Sequence, residues 1–141
     1  MIVVDSSVLV AFFRGADTAN TRELARLEQD QIPYAIPGVC LQEVLQGARD
    51  ESEWAVLHDY LSAQSIVGPQ SERDTHIAAA RLYYDCRRRG LAIRSTIDCA
   101  IAQLCLERDA ALLHDDTDFE RIASVAPLRR WWPREGEPGA G

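Results

Sequence analysis

Aspartates close two apolar, strand-like runs of this 141-residue chain. Asp5 follows Ile2-Val3-Val4, and Asp115 and Asp116 follow the run at residues 111–114. Short continuous apolar runs are typical of buried parallel strands, and α/β proteins bind ligands in the crevice beyond the carboxyl ends of such strands. The sequence therefore predicts carboxylates at the functional edge of a sheet.

Two further acids, Glu43 and Asp98, lie near the beginnings of helical patterns and could point into the same crevice. Converging carboxylates repel one another, so a protein that gathers them usually holds a hard divalent cation between them. This set of residues predicts metal-dependent chemistry on phosphate.

Most of these acids also have a purely structural explanation when each is taken alone. A carboxylate in a first helical turn, such as Asp98, is favoured by the helix dipole, and Glu43 fits a solvated helix face. The acids at 115–118 include turn and capping residues, so not all of them are ligands. Asp5 is harder to explain in this way. The prediction therefore depends on the order and context of the acids together.

Composition fits one domain with a single core, since 47% of the residues are apolar. No run of eighteen apolar residues is present and the N-terminus lacks a signal-peptide pattern, so we expect a cytoplasmic protein without a membrane span. The four cysteines are far apart and form no C-x-x-C pair. We expect them to be buried, reduced thiols rather than zinc ligands or disulfides.

The net charge of -7 argues at face value against a nucleic-acid partner. Bound cations would neutralise part of it, because five of the negative charges belong to acids of the proposed site. All fifteen basic residues are arginine, and they cluster at 87–89 and 129–134. The 87–89 cluster is best explained as a solvated helix end, whereas Arg94, beside Asp98, is the better candidate for a substrate phosphate contact.

Apolar periodicity and turn residues predict strands that alternate with helices. The predicted strands cover residues 2–5, 34–36, 65–67, 111–114 and 128–131. The predicted helices cover residues 6–14, 18–30, 38–49, 51–63, 71–89, 97–108 and 118–124. In the helix at 97–108 we expect Ile97, Ile101, Leu104 and Cys105 to form the buried face. This order predicts a three-layer α/β domain with a mainly parallel sheet over residues 1–132, followed by a disordered tail at 133–141.

Four segments in this order resemble the PIN-domain ribonucleases, and within them the toxin subunits of bacterial VapBC toxin–antitoxin pairs. The segments are Ile2–Ser7, Pro37–Gly47, Arg94–Ala102 and Leu113–Phe119. Each motif is loose by itself, but four in register over residues 1–132 are fairly specific.

The resemblance implies a three-layer α/β/α PIN domain with a site for Mg²⁺, or alternatively Mn²⁺. The acidic quartet would be Asp5, Glu43, Asp98 and Asp116, with Asp5 and Asp98 as the main ligands. The small hydroxyl residues Ser6 and Thr96, together with Asp118, would support them, and Asp115 receives no role. One or two ions would assist hydrolysis of RNA to a 5′-phosphate and a 3′-hydroxyl.

The same resemblance implies an endoribonuclease toxin that acts on transfer or ribosomal RNA, forms a homodimer and is neutralised by a VapB-type antitoxin. Two alternatives stay open. A flap-type DNA nuclease is disfavoured because that group needs longer inserts and more acids. In the other alternative, a non-catalytic binding module, the four acids would only cap helices.

Overall fold

Five short strands form one parallel sheet in the computed structural model, which describes residues 1–134. The strands are β1 (Ile2–Val4), β2 (Ala35–Pro37), β3 (Ser65–Val67), β4 (Ala111–Leu113) and β5 (Arg129–Arg130). Their order is β3-β2-β1-β4-β5, and every neighbouring pair is parallel. With helices on both faces, the domain is a three-layer α/β/α structure, which confirms the predicted fold class.

The helices of residues 1–134 alternate with these strands, within a few residues of the predicted bounds. They are α1 (Ser6–Phe13), α2 (Ala19–Gln29), α3 (Gly38–Gln46), α4 (Glu51–Ser62), α5 (Glu72–Arg88), α6 (Thr96–Glu107) and α7 (Thr117–Ala123). No helix in this part of the chain is long and apolar enough to cross a membrane.

The strand order places a topological switch point between β1 and β4. From β1 the chain adds β2 and β3 on one side, and it then crosses the sheet to add β4 and β5 on the other. Loops that leave β1 and β4 therefore diverge and leave a crevice beyond the strand ends. Asp5 directly follows β1, and Asp116 ends the loop after β4. The switch point therefore explains why the sequence places acids after these two strands.

The two central strands carry the core. Val3, Val4, Leu112 and Leu113 are fully buried because helices cover both faces of the sheet. The four cysteines are also buried and free, which confirms the prediction of unpaired thiols.

The predicted buried face of α6 is wrong at Ile97. Ile101, Leu104 and Cys105 are buried, but the side chain of Ile97 is 42% exposed. It lies in the first turn of α6, in a groove that it shares with Val39 of α3. Helical periodicity identifies an apolar stripe, but it does not tell where along the helix the packing partner ends.

Beyond β5, the tryptophans behave as the strand pattern predicts, with at most one directed inward. Trp131 packs against the core and donates its indole N–H to Glu23 of α2 at 3.1 Å. Trp132 is 39% exposed and lies against the guanidinium of Arg130. The predicted domain boundary after residue 132 stays a prediction, and the predicted tail falls largely outside the described residues.

Candidate metal centre

Asp5 is fixed at the end of β1 by the start of α1. It is the N-cap of that helix, and its Oδ2 accepts a hydrogen bond from the Ser7 amide at 3.0 Å. The thiol of Cys40 donates to its Oδ1 at 3.6 Å. Burial raises the pKa of Asp5, hydrogen bonds from Ser7 and Cys40 oppose that rise, and the charge of Glu43 adds to it. Asp5 is therefore fixed in position, and a nearby positive charge would stabilise the ionised form of its carboxyl group.

Glu43 lies on α3, which follows β2 without a loop. The side chain is half-buried, and the hydroxyl of Ser6 donates to its Oε2 at 2.9 Å. Since Ser6 directly follows Asp5, the dipeptide after β1 both supplies one acid and orients another.

Asp98 lies in the first turn of α6 and is only 8% exposed. Its Oδ2 is buried and has no hydrogen-bond partner within residues 1–134. Burial, together with the negative charges of Asp116 and Asp5, raises the pKa of Asp98 to about 8. A buried carboxylate oxygen without a partner is costly unless a proton or a cation compensates it.

Asp116 is the N-cap of α7 and remains partly accessible. Its Oδ1 accepts hydrogen bonds from the Asp118 amide at 2.9 Å and from Nη2 of Arg94 at 3.0 Å. One carboxylate oxygen from each of Asp98, Asp116 and Asp118 lies within 4.8 Å of the others. The acids at the start of α7 therefore lie close to the acid in the first turn of α6.

Both carboxylate oxygens of Asp118 accept hydrogen bonds from other residues of the chain. Its Oδ2 accepts from the amides of Arg94 at 2.9 Å and Ser95 at 3.3 Å, and its Oδ1 accepts from Arg121 at 3.0 Å. Burial would raise the pKa of Asp118, but hydrogen bonds from Asp98 and from these amides outweigh it and lower the pKa. The side chain joins α7 to the turn before α6, which fits the supporting role expected for it.

Thr96 is less clearly connected to the site. It is the first residue of α6 with an exposed side chain, and it makes no hydrogen bond to these acids within the described chain. Ser95, not Thr96, is the N-cap residue of α6. The supporting role of Thr96 stays a prediction. Asp115 is exposed, and within residues 1–134 its one hydrogen bond is from its backbone amide to Ser7 Oγ.

His114 is a structural residue beside the acids. Its Nδ1 accepts from the Asp116 amide at 3.2 Å, and its carbonyl oxygen accepts from Arg130 at 3.1 Å. Burial and the charge of Arg130 lower the pKa of His114 to about 4. The imidazole is therefore neutral at physiological pH and orients the loop after β4.

The donors of this centre fit a hard divalent cation. They are carboxylate oxygens from separate elements, they repel one another, and Asp98 Oδ2 has no partner among the described residues. Mg²⁺ and Mn²⁺ prefer such oxygen ligands and retain part of their water shell. Asp5 and Glu43 are outside the group within 4.8 Å. Asp5 is nevertheless close enough for its charge to raise the pKa of Asp98.

Two contacts of the centre were missed in the sequence. The pairing of Asp118 with Arg121 has the helical i,i+3 spacing and could have been found from it. The contact between Cys40 and Asp5 joins residues 35 positions apart, and no local pattern indicates it.

The PIN domain family matches residues 2–125 of the chain, a range that contains all the acids described above. The VapC ribonuclease Mb1587 of Mycobacterium bovis and the ribonuclease VapC11 of Mycobacterium tuberculosis are both similar to it in sequence. Each is 31% identical over 130 residues, which are 92% of this chain and 96% of the relative.

Solved structures share the fold at lower sequence identity. The DNA-bound VapBC from Salmonella typhimurium matches with a TM-score of 0.73 at 18% identity, over 92% of this chain and 96% of that one. VapBC2 from Rickettsia felis, bound to a promoter DNA fragment, matches with a TM-score of 0.70 at 22% identity, over 93% of this chain and 99% of that one. The family match and the two relatives at 31% identity show that this chain belongs to the PIN-domain family.

Proposed function

We propose that this protein is a metal-dependent endoribonuclease and the toxin of a VapBC-type toxin–antitoxin module. The observation that carries the proposal is the unpaired, buried Asp98 Oδ2 among converging carboxylates at the switch point of the sheet. The ribonuclease relatives favour RNA over DNA as the substrate.

The residues proposed to hold the ion are Asp5, Glu43, Asp98 and Asp116. Asp118 supports them by holding α7 against the turn before α6, and Ser6 supports them through Glu43. The proposed ion is Mg²⁺ or, alternatively, Mn²⁺, because carboxylate oxygens suit both ions. The chemistry that such an ion supplies is activation of water and neutralisation of charge on the phosphate.

The chain's own residues position the reactants. Glu43 is half-buried and held by the Ser6 hydroxyl, so its free oxygen is available to orient the attacking water. Arg94 lies at the rim with its side chain 69% exposed, where its guanidinium can contact the substrate phosphate. The products proposed from the resemblance to the PIN-domain ribonucleases are a 5′-phosphate and a 3′-hydroxyl.

The proposed partners are an RNA, a VapB-type antitoxin and a second copy of the chain. The solved structures of the same fold are named as VapBC complexes, which supports an antitoxin as the inhibitor. An RNA substrate and four free, buried thiols fit the reducing cytoplasm as the place of action.

Cleavage of RNA by purified, antitoxin-free protein tests this proposal. The reactions contain Mg²⁺, Mn²⁺ or EDTA, and they compare the wild type with Asp5→Asn and with the exposed-site control Asp115→Asn. We expect cleavage that requires the ion and Asp5 but not Asp115. A parallel reaction with flap DNA distinguishes the alternative nuclease. Folded protein that binds Mn²⁺ but cuts neither substrate would overturn the nuclease. Folded protein that neither binds Mn²⁺ nor cuts would leave the binding module, in which the acids only cap helices.

A further inference from the structure

Arg94 connects two carboxylates of the centre through its side chain. Its Nη2 donates to Asp116 Oδ1 at 3.0 Å, and its Nε lies 3.5 Å from Asp118 Oδ1. Its backbone amide donates to the other oxygen of Asp118 at 2.9 Å. The guanidinium therefore lies against two of the three acids that approach one another within 4.8 Å.

This contact occupies Oδ1 of Asp116, and a guanidinium at that oxygen repels a divalent cation held by the same carboxylate. Asp116 Oδ1 already accepts the amide of Asp118 at 2.9 Å, so the guanidinium of Arg94 takes its second acceptor position. Arg121 is the other arginine at the cluster, but its ion pair is with Asp118. Within residues 1–134, Arg94 alone forms an ion pair with Asp116.

The backbone and the side chain of Arg94 differ in how they are held. The backbone is held by the buried Asp118, which is 1% exposed, whereas the Arg94 side chain is 69% exposed. The guanidinium can therefore leave Asp116 by side-chain rotation, without movement of the turn before α6. An exposed ion pair of this kind is weak enough for a divalent ion to displace.

We propose that Arg94 is a built-in counter-ion that occupies Asp116 in the metal-free protein and leaves it when a divalent cation binds. This inference rests on the proposed function, because it concerns the same centre. The guanidinium thereby neutralises part of the negative charge of the site without an ion, and it becomes free for a phosphate only once the cation is in place. Arg94 is thus the counter-ion of Asp116 without the cation and a phosphate contact when the cation is bound.

Competition between Arg94 and the ion lowers the apparent affinity for the ion. We therefore expect Arg94→Gln to bind Mn²⁺ about fivefold more tightly than the wild type, the scale set by weak exposed ion pairs. Arg121→Gln is the matched control, because it removes one positive charge from Asp118 without a contact to Asp116. Its Mn²⁺ affinity should change less than about twofold.

Isothermal titration with Mn²⁺ measures these affinities on the full chain. Arg94→Lys is included because an ammonium keeps the charge but lacks the planar fork that reaches both acids. We expect its affinity to lie between those of the wild type and Arg94→Gln. Thermal unfolding in EDTA and in Mn²⁺ provides a second measurement, and the increase in Tm caused by the ion should be larger for Arg94→Gln than for the wild type.

The outcomes separate this inference from the proposed function. Equal Mn²⁺ affinities in the wild type, Arg94→Gln and Arg94→Lys would overturn the counter-ion role while leaving the metal site intact. Equal increases in Mn²⁺ affinity in Arg94→Gln and Arg121→Gln would also overturn it, because the loss of one positive charge near the site would then explain both. Absence of Mn²⁺ binding by the folded wild type would overturn the metal site itself. A Mn²⁺-bound crystal structure with Arg94 still on Asp116 would contradict the displacement directly.

Discussion

The hydroxyl of Ser6 donates to Glu43 Oε2 at 2.9 Å and so joins the first turn of α1 to the middle of α3, 37 residues later. Ser6 is 8% exposed, and Asp5 is its neighbour in the chain. The position of Glu43 therefore depends on the same turn that positions Asp5.

Replacement of Ser6 by alanine tests this dependence. We expect Ser6→Ala to reduce the rate of RNA cleavage about tenfold, because Glu43 loses its only described side-chain partner and no longer orients water. The free energy of unfolding should fall by about 1 kcal/mol, the usual value of one hydrogen bond. Single-turnover cleavage and urea unfolding measure the two effects. The control Ser71→Ala removes the N-cap hydroxyl of α5 and should lose stability without a loss of rate.

Asp98 should make the metal-free protein less stable as the pH rises. Its pKa is about 8 in the folded protein and 3.8 in the unfolded reference, so between these values the folded state binds more protons. Stability from this group is therefore present at pH 4 and is lost progressively toward pH 8. Thermal unfolding in EDTA from pH 5 to pH 8 measures the slope.

Two variants of that experiment identify the source of the slope. Asp98→Asn should flatten the dependence of Tm on pH and raise the Tm at pH 8, since the amide carries no charge to bury. Saturating Mg²⁺ should flatten it in the wild type as well. A slope that is unchanged in Asp98→Asn would assign the effect to another group.

Asp118 should have the opposite dependence on pH. Its pKa is lowered in the folded state, so its contribution is present above the unfolded pKa of 3.8 and is lost as the pH falls through the folded value. Asp118→Ala leaves the amides of Arg94 and Ser95 without their acceptor and should cost about 2 kcal/mol at pH 7. Urea unfolding measures this cost. Asp115→Ala, at an exposed neighbouring acid, should cost less than about 0.5 kcal/mol.

Glu23 provides a test at the other end of the sheet. Its buried carboxylate accepts from Arg26 at 2.6 Å and from Trp131 at 3.1 Å, next to the beginning of β1. Glu23→Ala should reduce the free energy of unfolding by about 2 kcal/mol, because it leaves buried donors unpaired. Its affinity for Mn²⁺ should match that of the wild type. Reduced affinity would show that the two ends of the sheet are coupled.

The fold could be predicted because its two central strands, β1 and β4, are short and wholly apolar. These strands contain no polar residue around Val3, Val4, Leu112 and Leu113. The unbroken apolar run and its short length therefore both indicate buried parallel strands. Ile97 could not be predicted correctly, since its apolar character is the same whether its helical turn is covered or open. Burial at a helix end depends on the neighbouring elements, which the local pattern does not contain.

The sequence indicates candidate acids for the site, but it does not indicate their contacts. Asp5 and Asp116 could be found because acids that end apolar strands have few structural reasons to be there. The prediction of Asp118 as a supporting acid did not identify its buried hydrogen bonds to the turn before α6, which join residues 23 and 24 positions apart. The position of Arg94 beside Asp98 indicated a phosphate contact, whereas its ion pair with Asp116 required the folded chain.

The separation of the acids along the chain has a consequence for protein synthesis. Asp98 can meet Asp116 and Asp118 only after the ribosome has released the start of α7, because the N-cap and the first turn of that helix supply two of the three acids that approach within 4.8 Å. A nascent chain that has completed α1 to α6 therefore contains Asp5, Glu43 and Asp98 but no assembled centre. The order of translation delays the proposed nuclease until nearly all of its core has been made.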